Sequence, residues 1–213
     1  MRTDGTVDSF AGLPPAEYHR WRLESELYRT VESPILAPLL RAMAFRRALD
    51  LGCGTGIWTC FLKQIQPESE VLGIDIASDM LSLAARECTA RFEVADALTF
   101  RDPGRFDLVI SALSADYIGF PGFFTTLAAN LADRGVAYAW VLEPTRYPRY
   151  GDYCLKTWEI DGRQIRVEIP AYEIASVTEI GTKAGLRCNT LETPFWLSDH
   201  IERKLVCIQC TPE

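Results

Sequence analysis

Histidine is scarce in this chain: His19 and His200 are the two among 213 residues. The commonest side chain for general acid–base work at neutral pH is therefore in short supply. No apolar run approaches the roughly 20 residues that a membrane-spanning helix requires, and no repeat or low-complexity tract interrupts the chain. The stretch from Met1 to Leu13 lacks the basic start and apolar centre of a secretory leader, so the expectation is a cytoplasmic protein with no membrane partner. Basic residues are also too few and too scattered to form a stripe. Lys and Arg number 22 against 29 Asp and Glu, a formal charge of −7, which argues against a nucleic-acid partner and for a small molecule. Seven cysteines, an odd number, include a single C-x-x-C at Cys207 and Cys210. Residues three apart on a strand face opposite sides, so that pair is poorly placed to grip one metal. The expectation is no metal site and buried free thiols.

What is present is ordinary for a globular protein: 48% hydrophobic and 24% charged residues. The length suits one domain with a sizeable core. Residues 1 to 46 read as a tail followed by two helices that would form an N-terminal lid, the second starting near Pro34, because proline is favoured in a first turn. Residues 47 to 143 read as alternating strands and helices, 144 to 172 as an aromatic-rich insertion with a hairpin at Asp161-Gly162, and 173 to 213 as a helix and two final strands.

The chain is organised around Ala48-Leu49-Asp50-Leu51-Gly52-Cys53-Gly54-Thr55-Gly56-Ile57. This is a strand, a glycine-rich turn and the start of a helix, whose unpaired N–H groups face the turn. A dinucleotide turn is G-x-G-x-x-G; here the spacing is G-x-G-x-G. Asp50 stands two residues before the first glycine, where it would repel a pyrophosphate and attract a cationic amino group. S-adenosylmethionine carries an ammonium, a sulfonium, a ribose and an adenine, and no phosphate.

Two more acids follow short strands. Val71-Leu72-Gly73-Ile74-Asp75 places Asp75 23 residues past Gly52, a distance at which a carboxylate meets ribose hydroxyls; alone, it is also what a helix cap looks like. Arg91-Phe92-Glu93-Val94-Ala95 leads to Asp96. The order LDLGCGTG, GIDIA, VADAL, FDLVISAL resembles the class I S-adenosylmethionine-dependent methyltransferases, in their small-molecule, ubiquinone-biosynthesis-like (type 11/25) branch. The run Tyr28-Arg29-Thr30-Val31-Glu32-Ser33-Pro34 is similar to the YN-x-x-x-E-x-P stretch of some of these relatives.

The resemblance implies a Rossmann-like α/β fold: a seven-stranded mixed sheet with helices on both faces, extra N-terminal helices and strands 6 and 7 antiparallel. It implies S-adenosylmethionine as cofactor, with a binding set of Asp50, Gly52, Cys53, Gly54, Asp75, Ile76, Asp96, Ala97, Ser111 and Leu113. Within that set, Asp96 and Ala97 would meet the adenine and Ser111 and Leu113 the sulfur end. Many relatives carry a histidine at the position matched by Asp116, which makes Asp116 the first catalytic candidate and His200 a weaker second. The aromatic residues Tyr28, Tyr117, Tyr147, Tyr153 and Trp158 are the expected acceptor wall. The reading is a methyltransferase for an O or N atom of a small metabolite, monomeric or homodimeric. Three alternatives stay open: a nicotinamide oxidoreductase, which leaves Asp96 and the last two strands unexplained, a non-catalytic cofactor-binding module, and an enzyme that uses the same cofactor without transferring methyl.

Overall fold

The computed structural model describes residues 13–143, 147–160 and 162–213. The expected tail over residues 1–12, the start of the insertion at Pro144 and the first turn residue Asp161 lie outside them. Helix α1 (Pro15–Glu24) is followed by a wide turn of π-helix (Tyr28–Glu32) that runs directly into α2 (Ser33–Arg41). Pro34 occupies the first turn of α2, where its missing N–H costs nothing.

From there strand and helix alternate: β1 (Arg47–Leu51), α3 (Ile57–Ile65), β2 (Glu70–Asp75), α4 (Ser78–Glu87), β3 (Arg91–Val94), β4 (Phe106–Ala112), the short α5 (Ala115–Ile118), α6 (Phe120–Asn130) and β5 (Leu131–Leu142). A separate sheet follows, β6 (Arg149–Tyr150), β7 (Tyr153–Ile160) and β8 (Arg163–Pro170); α7 (Ile174–Lys183), β9 (Leu186–Trp196) and β10 (Glu202–Pro212) close the chain.

The main sheet has seven strands in the order β3-β2-β1-β4-β5-β10-β9. The first five are parallel, and β10 inserts antiparallel between β5 and β9. The apolar runs are buried on both faces because the sheet is covered on both. Leu49, Leu51, Ile74 and Val109 pack with Phe123, Phe124 and Leu127 of α6 on one side. Ala48, Val71, Leu108 and Ile110 pack with Leu36 and Leu40 of α2 and Trp58 and Leu62 of α3 on the other. Strand order reverses between β1 and β4, so the carboxyl ends of β1, β2, β3 and β4 open a crevice where ligands bind in open α/β sheets.

Helix α6 ends at Asn130, whose buried amide donates to the carbonyls of Phe100 and Thr126 and accepts from the Asp102 N–H. Strand β5 begins directly after it at Leu131, and its pairing with β4 shifts register between Phe106 and Leu108. One expectation is corrected: the cysteines are not all free thiols. Cys60 bonds Cys88, and Cys188 bonds Cys210, its direct partner across β9 and β10, which leaves Cys53, Cys154 and Cys207 unpaired. Cys207 and Cys210 do diverge, as alternation along the strand requires.

Candidate active site

The glycine turn after β1 is held from both sides. The N–H groups of Gly52 and Cys53 both donate to the Ile74 carbonyl, at 2.9 and 3.0 Å. The Ser114 hydroxyl, from the loop after β4, donates to the Gly52 carbonyl at 2.8 Å. Gly52 has φ +71°, and a Cβ there would stand 2.7 Å from that of Ser114, so both the backbone conformation and the space exclude a side chain. Gly54 (φ +53°) instead faces open space, with Tyr18 of α1 the nearest group, 4.0 Å from a Cβ built there.

That space is a cleft of about 530 Å³ along the carboxyl edge of the sheet, within the usual range for a ligand site. Gly52, Gly54, Asp75, Ile76, Asp96, Ala97 and Leu113 of the expected cofactor set line it, together with Tyr18, Tyr117 and Val167. Asp75 holds the turn and the next helix at once: one oxygen accepts from the Gly54 N–H at 2.8 Å, the other from the Ala77 N–H at 2.9 Å. Each carboxylate oxygen keeps a lone pair for a ligand. Asp96 accepts from the Leu98 N–H at 2.8 Å and is exposed. The described lining contains both carboxylates and no Lys, Arg or His.

Asp50, Cys53 and Ser111 lie beneath this surface. Asp50 is 2% exposed and accepts from the Thr59 hydroxyl at 2.7 Å. Burial pushes its carboxyl up to about 7, the Thr59 hydrogen bond opposing and the charge of Asp75 reinforcing the shift. Cys53 sits against Gly73, and burial, followed by the charges of Asp50 and Asp75, pushes its thiol well up. Ser111 is fully buried, with no hydrogen-bond partner for its hydroxyl among the described residues.

A second cavity of about 200 Å³ adjoins the cleft. Tyr18, Leu113 and Tyr117 line both, and Trp21, Arg22, Glu26, Leu27, Trp158 and Leu197 complete the smaller one with Ser25. Leu113 stands at the junction with φ +60°, a left-handed conformation that a leucine rarely holds, pinned by its N–H to the Trp140 carbonyl at 2.8 Å. Arg22 gives both oxygens of Glu32 a hydrogen bond at 2.8 Å, and the Trp58 indole adds a third at 2.7 Å. The acid of the E-x-P stretch thus anchors α1 on α3.

Several expected residues lie elsewhere. Asp116, the first catalytic candidate, lines neither cavity; it is 1% exposed and ion-paired with the equally buried Lys156 of β7. One of its oxygens has no partner among the described residues. His200 is exposed in the loop between β9 and β10, outside both linings. Tyr153 lies on the outer face of the small sheet, stacked on Tyr150. Tyr28 packs on Trp58 under the Arg22 guanidinium, and Tyr147 faces the Lys156 ammonium at 5.2 Å, its hydroxyl pushed up by burial and by Asp116. Of the expected acceptor wall, Tyr117 and Trp158 do line the small cavity, joined by a 3.3 Å bond from the Trp158 indole N–H to the Tyr117 hydroxyl.

Tyr18, Trp21, Arg22, Glu26 and Lys156 were not singled out from sequence. For Tyr18 and Trp21 a signal existed: two aromatics in the helix already read as a lid. His19 of α1 reaches the glycine turn: its Nδ1 is 2.9 Å from the hydroxyl of Thr55.

Comparisons with known proteins agree with this geometry. Residues 48–135 match the Methyltransferase domain family. The chain is 30% identical over 151 residues to a ubiquinone biosynthesis O-methyltransferase of Methylococcus capsulatus, covering 63% of this chain and 61% of that protein. It is 43% identical over 82 residues to a demethylmenaquinone methyltransferase of Thermus thermophilus, covering 34% of this chain and 37% of that one. The chain thus spans less than two thirds of these curated relatives. Among solved structures, Streptomyces venezuelae DesVI superposes with TM-score 0.69 at 19% identity, covering 93% of this chain and 98% of that one. The DhpI complex with S-adenosylhomocysteine superposes with TM-score 0.64 at 21% identity, covering 99% and 98%. Residues 48–135 are thus similar to the Methyltransferase domain family, and the strand order gives the chain the fold of S-adenosylmethionine-dependent methyltransferases.

Proposed function

We propose that the chain transfers a methyl group from S-adenosylmethionine to an O or N atom of a small metabolite, a natural-product intermediate being the kind of acceptor that aromatic walls suit. The observation that carries this reading is the charge of the larger cleft: two carboxylates, Asp75 and Asp96, and no basic side chain in its described lining. Such a surface repels the phosphates of a nicotinamide dinucleotide and suits a cofactor with two cationic centres and no phosphate. Asp75 would accept from the ribose hydroxyls, Asp96 and the Ala97 N–H would meet the adenine, and the turn at Gly52 and Gly54, with Asp50 beneath, would face the amino-acid end.

When bound, the cofactor supplies a methyl group on a sulfonium primed to leave. What the protein adds is position. An in-line displacement gains most of its rate from holding nucleophile and methyl near 3 Å apart with water excluded. The shared wall of Leu113, Tyr117 and Tyr18 is where the two ligands would meet, and the pinned backbone of Leu113 keeps that wall in place. Cytoplasmic location, a monomer or homodimer, and no nucleic-acid partner complete the reading.

Calorimetric titration with S-adenosylhomocysteine, and separately with NADH and NADPH, tests it. Micromolar binding of the homocysteine product, lost in Asp75→Ala, is expected. Absence of that binding together with tight nicotinamide binding would replace the reading with an oxidoreductase.

A further inference from the structure

The smaller cavity is lined by four aromatic side chains drawn from three elements. Tyr18 and Trp21 of α1 are 5.9 Å apart, Trp21 meets Trp158 of β7 edge-on at 5.9 Å, and Trp158 hydrogen-bonds Tyr117 of α5. All four line the same space. Aromatic faces are negative and edges positive, so a face turned to the cavity attracts a cation that enters it.

The charges around it point the same way. Arg22 is the one basic side chain in the described lining, and it is cancelled by Glu32, which is fully buried behind it. Lys156 stands 4.7 Å over Tyr117, paired with Asp116. The remaining acid of the lining is Glu26, in an exposed residue just after α1; Arg203, outside the lining, interacts with its charge and is itself ion-paired with Asp199. A carboxylate acceptor would meet Glu26 with no unpaired cation in the described lining to receive it, and a neutral phenol would fill the space without using the acid.

We propose that the acceptor is a small organic amine that enters this aromatic cage as its ammonium, with Glu26 as the counter-charge. The inference rests on the methyltransferase reading for the reaction, although the cage itself does not. In the step, the ammonium first loses its proton to solvent at the Glu26 mouth. The nitrogen lone pair then forms the bond to the methyl carbon as the carbon–sulfur bond breaks, its electron pair going to sulfur. S-adenosylhomocysteine leaves, and the amine carries one more methyl.

The test titrates the protein, free and saturated with S-adenosylhomocysteine, with choline, with its uncharged isostere 3,3-dimethylbutan-1-ol and with benzoate. Choline is expected to bind about tenfold or more tighter than the isostere, benzoate not at all, and Glu26→Gln is expected to weaken choline several-fold without changing the affinity for S-adenosylhomocysteine. Equal binding of choline and isostere, or no choline binding to protein that does bind S-adenosylhomocysteine, overturns the amine proposal and leaves the methyltransferase reading intact. Failure to bind S-adenosylhomocysteine while choline still binds the free protein overturns the methyltransferase reading, and the amine's role as acceptor with it, and leaves only the cation cage.

Discussion

Asp50 shows how one residue carries two demands that pull apart. It is buried under the glycine turn with the Thr59 hydroxyl as its hydrogen-bond donor, and burial pushes its carboxyl from 3.8 to about 7. A folded-state value above the unfolded one means that the native protein holds the proton more tightly. The stabilisation is fully present below about pH 4, is lost as pH rises, and is gone above about pH 7. The shift corresponds to at most about 4 kcal/mol across that window, and relaxation around the buried group would reduce it. Asp50→Asn keeps the shape and can still accept from Thr59. It is therefore expected to flatten the fall in stability between pH 4 and 7 and to raise the thermal midpoint at pH 8, followed by calorimetry at several pH values. An unchanged pH profile would mean that Asp50 is ionised in the folded protein.

At the scale of elements, the chain divides into parts that are local in sequence and parts that are not. The glycine turn and the strand ending at Asp75 each rest on a short run of apolar residues with a distinctive end, so both are readable from the chain alone; the strand before Asp96 mixes polar and apolar residues, and the antiparallel pairing of the last two strands came only with the family resemblance. The clamp between α5 and the small sheet is different. Asp116 of α5 and Lys156 of β7 are 40 positions apart, and neither residue announces the other. Read alone, Asp116 is an acid beside the expected sulfur end, which is why it headed the catalytic candidates. The fold turns it away from both cavities and under the small sheet. The cysteine bonds and the Arg22–Glu32 anchor escape sequence for the same reason: each depends on which elements pack. The clamp makes its own prediction. Removing one member of a buried ion pair strands the other, at a cost of about 3–5 kcal/mol, whereas replacing both by apolar groups of similar volume is close to neutral. Asp116→Asn and Lys156→Met should each lower the urea midpoint markedly, and Asp116→Leu with Lys156→Met should recover most of the loss. A double variant as unstable as the singles would show that the pair contributes more than its own neutralisation.

At the scale of the whole molecule, the two cysteine bonds lie outside the moving parts of the proposed reaction. Cys60–Cys88 joins α3 to the end of α4, and Cys188–Cys210 staples β9 to β10; neither crosses α1 or the β7–β8 hairpin that wall the smaller cavity. They close loops of 28 and 22 residues, for which the loss of chain entropy in the unfolded state is worth roughly 3 kcal/mol each. In a chain of this size about 1 kcal/mol moves the thermal midpoint by roughly 2–4 °C. Cys88→Ser and Cys210→Ser should therefore each lower the midpoint by roughly 6–12 °C, with the two effects close to additive because the bonds share no element. Binding of S-adenosylhomocysteine to the folded variants should survive, since the acids and glycines lining the larger cleft are held by hydrogen bonds of their own. A reducing agent should reproduce the double variant's melting curve in the parent protein and leave the double variant unchanged. Identical midpoints with and without reductant in the parent would mean that the four thiols remain reduced in solution, which places the fold's stability wholly in its two apolar layers.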